Sequence, residues 1–252
     1  MKFVALVGPK IGLDLLKILL ENINQNHLLI LHDERLDIKS LNYSLNSRVR
    51  FLKIDQNFQT MPEIEGTYFL NLWGSTFLTK EFISRFKMCF NIHPSYLPFG
   101  RGRDPIIWTI LNQWPAGATF HLIDEDIDTG PILYQEEIDW KLPITGIELY
   151  NRVLATCLHV FEVGLQRLID GEFNLNPQQN ADLVTHKRSD TDLIRNISVE
   201  DLSEQTGEYL IRHFLAFDFG KDYSSRITLQ NRCFSVRLIL EEIATLKYNE
   251  LE

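Results

Sequence analysis

The chain has 252 residues, 44% of them hydrophobic and 23% charged, enough to bury a substantial core in one catalytic-sized unit with a small addition. A formal net charge of -9, with no basic stretch of useful length, argues against a nucleic-acid binder. Cys89, Cys157 and Cys233 lack paired spacing and fit reduced thiols rather than zinc ligands, and no run approaches the ~20 apolar residues of a membrane span, so a soluble, cytoplasmic protein is expected.

Phe3 to Val7 is a continuous apolar run that stops at Gly8-Pro9, too short for a signal peptide and ending in turn residues rather than a cleavage site. Residues 11–21 then carry Ile11, Leu15, Leu16, Ile18, Leu19 and Leu20 at helical spacing. Segments 27–31, 49–54 and 67–73 repeat the short buried-strand pattern, with room between them for helical crossovers. The expectation is an α/β fold, an open and mainly parallel Rossmann-like sheet with helices on both faces. Ligands of such sheets gather at the carboxyl ends of the strands, where Trp73-Gly74-Ser75 and Asn91-Ile92-His93 fall.

Residues 104–112 predict a short helix, and 117–123 and 131–138 alternate as strands around an acidic loop. A long amphipathic helix over 147–168 ends at Asp170-Gly171. Residues 172–189, polar and containing Pro177-Gln178-Gln179-Asn180, read as an exposed connection. The chain then divides into a catalytic domain over 1–190 and a small C-terminal helix-plus-hairpin appendage over 191–252. In the appendage one helix spans 202–215, and strands 225–229 and 234–238 pair around Gln230-Asn231-Arg232. The apolar residues of 227–240 suit a homodimer edge, and packing on their own domain accounts for them as well.

The most informative stretch is Asn-Ile-His-Pro-Ser-Tyr-Leu-Pro-Phe-Gly-Arg-Gly, residues 91–102. In an extended strand the period of two places Asn91 and His93 on one face, and Pro94 and Pro98 end the strand. An amide that donates to a developing oxyanion beside an imidazole that moves a proton is what acyl or formyl transfer requires. Downstream, His121-Leu-Ile-Asp-Glu-Asp-Ile-Asp-Thr-Gly-Pro adds carboxylates at Asp124, Glu125, Asp126 and Asp128. Solvation alone is the bland account of such a loop.

Asn-x-His-Pro-Ser-x-Leu-Pro-x-x-Arg-Gly followed by His-x-x-Asp-x-x-x-Asp-x-Gly-Pro-Ile resembles the folate-dependent formyltransferases, over about residues 67–138. The resemblance implies a catalytic set of Asn91, His93 and Asp128, a 10-formyltetrahydrofolate donor and no metal. It implies an apolar wall for the pterin ring at Phe77, Leu78 and Ile83, where core packing is an equally good account. It also implies that the loop holding Ile123, Asp124 and Asp126 reads the pterin edge through its backbone. Arg101, Arg103 and Trp108 are similar to an Arg-Gly-x-x-Pro segment of the sugar N-formyltransferases and suit a pyrophosphate and a base. Tyr96, where the family mostly has Leu, puts a phenol near the acceptor, and Lys10 sits where a phosphate meets a helix start. His121 reads as a structural strand residue facing the folate side.

Three family acceptors compete. The first loop, Gly8-Pro-Lys-Ile-Gly12, departs from the pattern of glycinamide ribonucleotide transformylases, and the short acidic tail departs from that of methionyl-tRNA formyltransferases. The acceptor the resemblance then favours is a nucleotide-linked amino-deoxy sugar, a dTDP-3- or 4-amino-dideoxyhexose above all, used in lipopolysaccharide O-antigen biosynthesis, with glycinamide ribonucleotide transformylase kept as an alternative. A formyltetrahydrofolate hydrolase is the alternative from another reaction class.

Overall fold

A computed structural model describes residues 1–24, 28–32, 50–53, 66–179 and 184–241. In chain order these form β1 (Phe3–Val7), α1 (Ile11–Asn22), β2 (Leu28–His32), β3 (Arg50–Lys53), β4 (Tyr68–Leu72), α2 (Lys80–Ile83), β5 (Met88–His93), α3 (Pro105–Asn112), β6 (Ala116–Leu122) and β7 (Ile132–Ile138). They continue with α4 (Gly146–Asp170), α5 (Arg188–Ile194), β8 (Asn196–Ile197), α6 (Val199–Glu204), α7 (Gly207–Ala216), β9 (Ser225–Leu229) and β10 (Arg232–Val236). The crossovers expected on either side of β3, and the strand ends expected at His27, Val49 and Ile54, lie outside the described residues.

The main sheet runs β3-β2-β1-β4-β5-β6-β7. Its first five strands are parallel; β6 pairs antiparallel with β5, and β7 antiparallel with β6. Every residue of β1 and β2 is buried, as fits strands covered on both faces. Alternation sorts their side chains: Phe3, Ala5 and Val7 join the large core with α1, α3 and α4, while Val4 and Leu6 join a smaller one with Phe69, Phe82, Phe86 and Cys89. Asn71, Asn91, His93 and His121 fall on the small-core face because Leu70, Phe90, Ile92 and Phe120 point into the large core. α4 closes that large core. Its Thr145–Glu148 capping box starts it and Gly171, at φ 78°, ends it. It approaches the sheet closely at Gly164, where an added Cβ would stand 2.4 Å from the Phe120 ring.

Two local expectations need correction. The helix over 202–215 is two helices, because Thr206 starts a new one at Gly207 by accepting a hydrogen bond from the Tyr209 N–H. The second hairpin strand starts at Arg232, not Phe234: Gln230 and Asn231 both take positive φ, 48° and 60°, as a two-residue type I′ turn requires.

β8, β9 and β10 make a separate three-stranded sheet. The segment between β8 and β9 packs into the large core, where Ala216 and Phe217 are fully buried together with α4 residues. Phe217→Ala is expected to cost about 3–5 kcal/mol, measured by urea unfolding; a loss under about 1 kcal/mol would mean that this segment does not support the core.

Candidate active site

Register builds the site. Asn71 of β4 pairs with Asn91 of β5, and Asn91 pairs with His121 of β6, so the three lie in a row across adjacent strands on one face. His93 ends β5 two residues further on and is 5% exposed. The loop beyond it is pinned to β6 and β7: Thr119 Oγ1 donates to the Ser95 carbonyl and accepts from the Leu97 N–H, and Gln135 donates to the Leu97 carbonyl. This brings the Gly100 carbonyl back onto His93 Nε2 at 2.9 Å.

A carbonyl only accepts, so Nε2 carries the hydrogen and Nδ1 is the nitrogen left to take up a proton. Nδ1 faces Asp128 Oδ2 at 3.4 Å. Asp128 is set at φ 57° in the 123–130 loop, and its Oδ2 accepts the Gly102 N–H at 2.9 Å. Its Oδ1 lies 3.4 Å from Asn91 Nδ2 and 3.5 Å from His121 Nε2. The three residues expected to act together therefore converge, with His121 as a fourth member.

The electrostatics follow from this packing. Burial pushes the His93 imidazole below its ordinary value, against the pull of the Asp128 carboxylate and the Gly100 carbonyl, while His121 adds to the lowering. Burial raises the Asp128 carboxyl, but His93, His121 and the Gly102 N–H outweigh it and hold the group well below the usual carboxylate range. Near neutral pH the arrangement is an ionised Asp128 beside a His93 able to accept a proton on Nδ1.

Arg101 is corrected. The residue is 3% exposed and its guanidinium donates from Nε and Nη2 to Gln178 Oε1, so that edge offers no open fork to a pyrophosphate. Gln178 in turn donates to the carbonyls of Asp128 and Gly130, fixing the loop that aims the carboxylate. The segment 172–189 is thus more than an exposed connection. Its His186 exchanges backbone hydrogen bonds with Arg101 and Arg103 and stacks on Trp108 at 3.7 Å between ring centroids. A Cβ on Gly102, at φ 85°, would lie 2.2 Å from the His186 carbonyl oxygen, which explains the glycine of Arg-Gly.

Arg103 is exposed, Trp108 and Tyr96 are half-buried, and Lys10 is exposed at the carboxyl end of β1, two strands from β5. Leu78, Ile83 and Ile123 are partly buried against the small core beneath the site, and Phe77 projects with 72% exposure. The Ile123 N–H is taken by the Cys89 carbonyl, and Asp124 accepts the Thr129 hydroxyl, whereas Asp126 is exposed. Asn71, Gln178 and the Gly102 N–H were not expected from sequence. An amide inside the apolar run Tyr68-Phe-Leu-Asn-Leu is a readable signal; Gln178 in a polar segment is not.

An amide, an imidazole and a buried carboxylate converge at the end of a mainly parallel sheet, an arrangement that suits acyl transfer. Residues 70–160, which hold all three, match the formyl transferase family. GDP-perosamine N-formyltransferase of Brucella melitensis is 36% identical over 83 residues, which are 32% of this chain and 32% of that protein. The match thus spans about a third of that curated relative. A sugar N-formyltransferase of a Shewanella species superposes with a TM-score of 0.78 at 18% identity, over 97% of this chain and 99% of the other. The N-formyltransferase of Helicobacter canadensis, solved with folinic acid and dTDP-3-aminofucose, gives 0.72 at 21% identity over 92% and 85%. These two likenesses establish the fold, including the C-terminal part.

Proposed function

We propose that the protein transfers a formyl group from 10-formyltetrahydrofolate to the amine of a nucleotide-linked amino-deoxy sugar. The observation that carries this reading is the convergence of Asn91, His93 and Asp128, with His93 Nδ1 3.4 Å from Asp128 Oδ2, inside the formyl transferase segment. The folate supplies the activated formyl carbon. Asn91 Nδ2 donates to the formyl oxygen as it gains charge, His93 Nδ1 takes the proton of the attacking amine, and Asp128 stabilises the resulting imidazolium. The same imidazolium then returns a proton to the departing nitrogen.

Half-exposed Leu78, Ile83 and Ile123 with the exposed Phe77 fit a flat apolar ring beside the site, and backbone groups of Asp124 and Asp126 suit its polar edge. On the acceptor side, Arg103, Tyr96 and the Trp108–His186 stack suit the sugar nucleotide, with Lys10 further along the strand ends. Among sugars, the matched relative named for GDP-perosamine and the neighbour solved with dTDP-3-aminofucose favour a dTDP- or GDP-linked 3- or 4-amino-dideoxyhexose. The product would serve surface-polysaccharide assembly such as O-antigen, from a cytoplasmic enzyme. Exposed Leu229 and Phe234 of the terminal hairpin support a homodimer.

The test is mass spectrometry of products after incubation with 10-formyltetrahydrofolate and a panel of dTDP-, GDP- and UDP-linked amino sugars. One formyl group gained by a panel member is expected. No formylated sugar from any of them would overturn the reading.

A further inference from the structure

Asn91 acts only if its NH2, and not its carbonyl oxygen, faces the reacting oxygen, and a side-chain amide has nothing of its own to enforce that. The ionised Asp128 does so on the NH2 side, and the backbone next to the site does so on the oxygen side. The Gly74 N–H can only donate, and it lies 2.9 Å from Asn71 Oδ1, so the Asn71 oxygen is fixed on Gly74. Asn71 Nδ2 then donates to the Gly74 carbonyl at 3.3 Å and to Asn91 Oδ1 at 3.0 Å. With its oxygen held there, Asn91 turns Nδ2 toward His121, at 3.2 Å, and Asp128.

We propose that Asn71 is a positioning residue for formyl transfer, a relay that sets the orientation of the Asn91 amide from the backbone of Gly74. The proposal rests on the function argued above and adds a residue that touches no reacting atom. The geometry around Gly74 agrees: a Cβ there would lie 2.6 Å from Asn71 Oδ1 and 2.5 Å from the Leu6 side chain, so the residue that anchors the relay has no room for a side chain. The competing account is that Asn71 merely ties off the turn at Trp73, which has φ 69°. That account predicts a stability effect without a specific link to Asn91.

Asn71→Asp separates the two. It keeps an acceptor for the Gly74 N–H but turns an acceptor oxygen toward Asn91 Oδ1, so the Asn91 amide no longer satisfies residue 71 and Asp128 in one orientation and loses its fixed NH2 position. Assayed at about pH 8, where the new carboxyl is ionised, kcat is expected to fall about 10²–10³-fold, as when one oxyanion donor is withdrawn. KM for both substrates should stay within about threefold, and in an Asn91→Ala background the change should cost nothing further. A kcat within about threefold of the parent, or an undiminished further loss on top of Asn91→Ala, would overturn the relay.

A second readout is independent of turnover. The Asn91 side-chain NH2 signal in a nitrogen-15 spectrum, identified by its loss in Asn91→Ala, should move in Asn71→Asp. An unmoved signal contradicts the relay, whereas a parent that formylates no amino sugar contradicts the proposed function instead.

Discussion

His93→Ala is expected to lower turnover by about 10²–10⁴-fold, the usual contribution of a positioned acid or base, and to leave folate affinity within about twofold. In the proposed transfer the amine loses a proton as it attacks and the departing nitrogen gains one; His93 Nδ1, with Nε2 held on the Gly100 carbonyl, would do both. Burial keeps the imidazole below its ordinary value, so near neutral pH it enters the reaction able to accept. Because the side chain is buried, alanine also leaves a cavity. His93→Gln fills that space and can still donate to Gly100, yet it takes up no proton, and it should lose as much activity as alanine. Stopped-flow turnover and folate titration check both variants; activity within tenfold of the parent would remove His93 as the proton carrier.

Asp128→Asn is expected to have the second large effect, a fall of about 10²-fold or more in kcat, with a change in pH dependence that identifies its cause. The carboxylate pulls the His93 value up; without it desolvation is less opposed, and the acid limb of the kcat/KM profile moves to lower pH. A limb that stays put, or moves to higher pH, would contradict the pairing.

Stability should follow as well. Asp128 has a depressed value in the fold, so its contribution is complete above its unfolded value of about 3.9 and is lost as pH falls below that. His93 is also depressed, but as a base it favours the unfolded chain once pH falls through about 6.5. Urea unfolding of the parent should therefore weaken in two stages on acidification. Asp128→Asn should diminish the stage near pH 4.

Much of the fold was written in features that act locally. The continuous apolar run of β1, the 3.6-residue spacing of α4 with Gly171 behind it, and the hairpin around Gln230-Asn231 each follow from a few neighbouring residues. Asn91 and His93 were legible for the same reason, since a strand's period of two puts them on one face. Cross-strand register was not legible. The row Asn71, Asn91, His121 joins residues 20 and 30 apart along the chain, and only sheet pairing reveals it. Arg101 misled because an arginine in a Gly-rich loop looks like a surface cation, and its burial depends on Gln178, 77 residues away. The break at Thr206-Gly207 turned on one hydroxyl cap overriding an otherwise continuous helical pattern.

The most direct measurement uses 10-formyltetrahydrofolate carrying carbon-13 in the formyl group and follows that carbon by NMR in the presence of a dTDP- or GDP-linked amino sugar. The account predicts that the label arrives in a sugar formamide at the rate folate is consumed, and that Asn91→Ala, His93→Ala and Asp128→Asn each suppress its arrival. Label that appears only as free formate, at a rate indifferent to the amino sugar, would contradict transfer and make the protein a hydrolase.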